Sequence, residues 1–75
     1  MSAQATIKAL CPAVKAAIYT VMAARRSIDT LWTALTSMAD NEAAFKAAGE
    51  LSIIHTDIYG AEEQLKALYK ELCRN

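Results

Sequence analysis

The spacing of apolar residues constrains this chain more than any other feature. From Ile7 they recur at alternating intervals of three and four: Ile7, Leu10, Val14, Ala17, Val21, Ala24, Ile28, Leu31, Leu35 and Met38. After Asp40 and Asn41 the same spacing resumes at Ala44, Ala47, Leu51, Ile54, Ile58, Ala61, Leu65, Leu68 and Leu72. Neither series contains a charged residue. A 3.5-residue repeat keeps one stripe of a helix turned toward a partner, so two such runs predict two long helices packed along a seam. With so short a break between them, the second helix has to return antiparallel beside the first. The expected fold is all-α, a single domain made of one antiparallel helical hairpin. Helix 1 is expected over about 3–38, a turn at 39–41 and helix 2 over about 42–73.

Composition agrees with this reading. The 75 residues include 16 alanines but only two glycines and one proline, too few turn formers for a β-sandwich or barrel and a strong bias to helix. The formal net charge is zero, which argues against wholesale coating of nucleic acid. No uninterrupted apolar run approaches the roughly 20 residues of a membrane span. The longest, Ala9 to Ala24, is broken by Pro12 and Lys15. No acidic residue precedes Asp29, whereas Lys8, Lys15, Arg25 and Arg26 do. A mitochondrial presequence shares that composition, but here the helical pattern runs through the segment without a break. The expectation is a soluble, cytoplasmic protein with no membrane partner.

Local chemistry marks the helix ends and weak points. Asp40 is the expected N-cap of helix 2, and Glu42 adds negative charge to its first turn, where the helix dipole favours it. Pro12 costs about 3 kcal/mol inside a helix unless the helix bends. On the repeat it falls on the outer side, so a single helix kinked near residue 12 is preferred over a short helix ending near Leu10. Gly49 and Gly60 each weaken helix 2 by about 1 kcal/mol relative to alanine. They are either tolerated small residues or places where another backbone comes close; Gly49 ending a short first segment is the minor alternative.

The apolar face is wider than a two-helix seam requires. Ile18 and Trp32 follow one position past the seam of helix 1, Phe45 and Tyr59 flank that of helix 2, and Ile53 lies further out. A lone hairpin would leave Ile18, Trp32, Phe45 and Ile53 largely wet, whereas two hairpins joined as a four-helix bundle would bury them. Residues 1–39 carry net charge +3 and residues 40–75 net −3, so facing helices attract within a chain and between chains. A homo-oligomer is expected, with Ile18, Trp32, Phe45, Ile53 and Tyr59 as its interface or that of another protein partner.

Chemistry-bearing groups are sparse. The single histidine, His55, has Leu51 and Tyr59 as helical neighbours four residues away, with no second ligand at metal spacing. One histidine in such a chain gives no Ser–His–acid set, and two isolated glycines make no phosphate loop. Asp57, Glu62 and Glu63 read as a solvated acidic face. Neither catalysis, nor a metal, nor a cofactor is expected. Cys11 and Cys73 fall near the open end of the hairpin, where a bridge is geometrically open, but reduced half-buried thiols are expected in the cytoplasm. A basic strip on helix 1, Lys8, Lys15, Tyr19 and Arg26 with Arg25 beside it, supports a second reading. Doubled by a two-fold axis it could meet phosphates, as in small RNA-binding four-helix bundles, so RNA or nucleotide binding is the alternative function.

Overall fold

The computed structural model describes residues 3–38 and 40–73. It contains two helices packed antiparallel along their length, α1 (Ala3–Thr36) and α2 (Glu42–Cys73). The all-α hairpin expected from the apolar spacing is therefore the fold. It is a rod of 60 × 15 × 14 Å. Its radius of gyration is 17.2 Å, against about 11 Å for a compact domain of this length. Both helices pass unbroken through their weak points: α1 includes Pro12 and α2 includes Gly49 and Gly60. A Cβ placed at either glycine would meet nothing within 4 Å, so neither marks a close approach within the chain.

The helix ends differ from expectation by a residue or two. α1 stops at Thr36, and Met38 N–H donates to the carbonyl of Leu35 (3.1 Å), tightening the last turn. Asn41 N–H then donates to the carbonyl of Met38 at 2.9 Å. The cap of α2 is Asn41 rather than Asp40, because its Oδ1 accepts from Ala44 N–H at 3.0 Å. Glu42 occupies the first turn of α2 as expected. Ala39, inside the expected turn, lies outside the described residues.

The larger correction concerns the seam. One residue per heptad faces inward as predicted: Ile7, Val14, Val21, Ile28 and Leu35 on α1, and Ala44, Leu51, Ile58, Leu65 and Leu72 on α2 are buried or half-buried. The second column on each helix is only partly as expected: its alanines Ala17, Ala24, Ala47 and Ala61 are half-buried, but the column one position later shares the seam. Cys11, Ile18 and Arg25 are half-buried, whereas Leu10 and Leu31 are exposed. Ala48, His55, Glu62 and Tyr69 turn inward on α2, whereas Ile54 and Leu68 are exposed. Each helix is thus rotated so that a partly polar column joins the seam and the large residues of the charge-free one, Leu10, Leu31, Ile54 and Leu68, are left exposed. Met38, placed in the seam by spacing, is exposed beyond the end of α1.

Among the described residues, two side-chain pairs and a disulfide that link the helices accompany this rotation. Near the middle, Arg25 Nε donates to Glu62 Oε1 at 2.9 Å. Closer to the turn, His55 Nε2 lies 2.9 Å from Asp29 Oδ1. At the open end Cys11 and Cys73 are joined as a disulfide, with Cα atoms 5.9 Å apart. The two thiols expected to be reduced are therefore bonded. The register sets residue 11 opposite residue 73, close enough for a bridge without moving the backbone.

Candidate functional site

All three cross-links lie on one broad side of the hairpin. Arg25, Cys11 and their neighbours Asp29 and Lys15 project from this side of α1, and Glu62, His55, Lys66 and Cys73 from the same side of α2. Glu62 is its centre. It is 2% exposed, not part of the solvated acidic face expected for it. Its second oxygen, Oε2, accepts from Lys66 Nζ at 3.1 Å. A buried carboxylate is tolerable only when its charge and lone pairs are met, and here a cation serves each oxygen. The hydrogen bonds from Arg25 and then Lys66 hold the Glu62 carboxyl below its usual range, outweighing burial, which acts the other way. The same hydrogen bonds raise Arg25 and Lys66 above theirs. Among the described residues no buried side-chain nitrogen or oxygen lacks a hydrogen-bond partner.

Toward the turn the same side opens into a cleft of about 370 Å³ lined by Asp29, Trp32, Ser52, His55 and Thr56. It brings together a serine, the histidine and an acid, a combination that sequence spacing did not suggest. The wiring is not that of an activated nucleophile. Ser52 Oγ donates to the carbonyl of Ala48 at 3.2 Å, and the His55 nitrogen described above faces Asp29. Thr56 Oγ1 donates to the carbonyl of Ser52 at 3.0 Å. His55 thus has an acidic partner that periodicity missed, because Asp29 belongs to the other helix. Among the described residues no group of three or more His, Cys, Asp or Glu side chains is placed to hold a metal ion.

The expected interface residues divide between locations. Among the described residues Phe45 at 73% and Ile53 at 66% are the most exposed large apolar side chains, and Trp32 and Tyr59 are also exposed. Ile18 is not left wet as expected: the shifted seam half-buries it within the hairpin. Trp32, Phe45 and Tyr59 lie on the cross-linked side, whereas Ile53 points directly away from α1.

The basic strip is thinner than its sequence. Arg25 is engaged by Glu62, which leaves Lys8, Lys15 and Arg26 as its cations, with Tyr19 exposed beside them. α1 also has an 18-residue window of mean hydropathy 1.4 with no more than two charged residues. By length and composition alone it could cross a membrane, a property that counting uninterrupted apolar runs did not detect. Compared with protein-family models, curated proteins and solved structures, the chain matches none.

Proposed function

We propose that this chain is a non-enzymatic helical hairpin that self-associates and acts through protein–protein contact, as an adaptor, an inhibitor or an assembly subunit, in the cytoplasm. One observation carries the reading. Among the described residues the only buried hydrophobic ones are Ala44 and Ala48, whereas ten large ones, from Leu10 to Leu68, are exposed. A monomer with so little interior would be marginal, since a chain of this size needs help from a staple or a second chain. The disulfide supplies a staple, but it covers none of the exposed apolar surface.

A nucleic-acid reading stands second. It rests on Lys8, Lys15 and Arg26, and three cations are what any solvated helix carries. The paired Arg25 no longer adds to them.

Sedimentation velocity across one to a hundred micromolar tests the leading reading, with reductant absent and present. A dimer or larger species at tens of micromolar is the expected result. A sharp 8 kDa boundary throughout would overturn it.

A further inference from the structure

The surface left by the shifted seam is more ordered than a scatter of exposed apolar residues. The displaced columns, Leu10, Ala17, Ala24 and Leu31 on α1 and Ala47, Ile54, Ala61 and Leu68 on α2, project to the same side of the hairpin. That side is opposite the disulfide, the Glu62 pairs and the cleft. The alanines are half-buried and the leucines and isoleucine exposed, so the face is a shallow small-residue floor with bulky ridges near its ends. It contains no charged residue in either column, whereas the cross-linked side carries Lys8, Lys15, Asp29 and Lys66. Depletion of charge at the centre of an apolar patch is what distinguishes an interface core from ordinary surface.

We infer that this face docks a second copy of the same chain, with α1 of one protomer lying over α2 of the other. The inference rests on the self-association proposed above and adds its face and its orientation. The area suffices. The protein exposes 5595 Å², about 1,100 Å² more than a compact monomer of its mass. A standard interface removes about 800 Å² per partner.

The margins of the face select the orientation. The outer edge of α1 carries Ala13, Thr20, Ser27 and Ala34, all small and uncharged. Thr20 Oγ1 already donates to the carbonyl of Ala16 at 2.9 Å, so its hydroxyl is satisfied before any docking. The outer edge of α2 carries Glu50, Asp57 and Glu71. Stacking α2 on α2 about a two-fold axis would run the two copies antiparallel. Asp57, near the middle of α2, would then lie beside its copy on a shared acidic margin, and juxtaposed like charges oppose association. Stacking α1 on α2 sets the three acids beside the uncharged edge instead. In a two-fold dimer this places both interhelical turns at the same end.

Photocrosslinking in the oxidised 75-residue chain tests the face without disturbing the fold. A benzophenone side chain at Leu31 or at Ile54 is expected to give covalent dimers, and one at Phe45 none. Crosslinking from Phe45 alone would overturn the face while self-association stands. A monomeric wild type in sedimentation would overturn both. Leu31→Glu with Ile54→Glu should weaken dimerisation on the order of 100-fold, since each protomer would bury two charges that have no partner. Phe45→Glu with Tyr59→Glu should change it little. Energy transfer between dyes on unnatural side chains at Asp40 tests the orientation. A separation well under half the 60 Å length of the rod is expected, and one near the full length would overturn it. Co-flotation with phosphatidylcholine vesicles that abolishes crosslinking at Leu31 would assign the face to lipid and overturn the inference.

Discussion

Glu62 shows how a single side chain can invert its sequence reading. Adjacent to Glu63 and followed by polar residues, it looks solvated, yet it is the most buried side chain among the described residues. Arg25, 37 residues earlier, is what makes that possible. Because the carboxyl is held low, its ionised form favours the folded state. That contribution is present above the ordinary glutamate value of about 4.3 and is lost as pH falls through the lower folded value. Glu62→Gln should therefore be less stable than wild type at pH 7, with a flatter decline between pH 5 and 2. Urea unfolding followed by circular dichroism across that range checks it; parallel acid limbs would refute the assignment. At the same scale, His55 and Asp29 could not be paired from spacing, because nothing local to either helix relates them.

At the scale of the element, both helices owe their existence to patterns visible in the chain. The alanine content and the apolar repeat favour helix strongly enough that Pro12, Gly49 and Gly60 do not interrupt it. Pro12 deprives the Lys8 carbonyl of its usual donor, and the helix continues because the turns on either side are supported by packing against α2. The cap was legible only to within one residue. Asp40 and Asn41 are both good cap types, and which one lies three residues before an unsatisfied N–H depends on where the turn places the chain. Asn41→Ala should cost about 1 kcal/mol of stability, while Asp40→Ala should cost little. Thermal unfolding of the two variants side by side distinguishes them. The outer side of α2 allows a cleaner test of helix propensity. Gly49→Ala meets open space and should add about 1 kcal/mol, without changing the association state. A loss of stability would mean that something else packs there.

At the scale of the molecule, the rod is tied at both ends: by the turn at one, and by Cys11–Cys73 at the other. The bridge closes a loop across 62 residues of sequence, and the chain-entropy model credits such a loop with about 4 kcal/mol. Reduction, or Cys11→Ser with Cys73→Ser, should lower the urea midpoint substantially while preserving helicity at low temperature. An unchanged midpoint would show that packing alone closes the open end. The bridge also bears on location, since cytosolic thiol pools keep most such pairs reduced. Alkylation of the protein in freshly lysed cells, followed by a non-reducing gel, reports whether the pair is bonded where the protein resides.

The amino-acid sequence by itself determined the all-α class, the number of helices, their lengths to within two residues and their antiparallel return. Those properties follow from hydrophobic period and turn composition, which are written along one dimension. Only the tertiary structure decided which second column of each helix faces inward. A 3.5-residue repeat locates the apolar stripe, but the columns one position apart on either side of its centre compete, and spacing favours the charge-free one. The choice went instead to the columns that allow Arg25 to meet Glu62, His55 to meet Asp29 and Cys11 to meet Cys73. Each of those pairings links residues on different helices, and none has a signature within either helix alone. The apolar columns they displaced are the surface on which the proposed association depends.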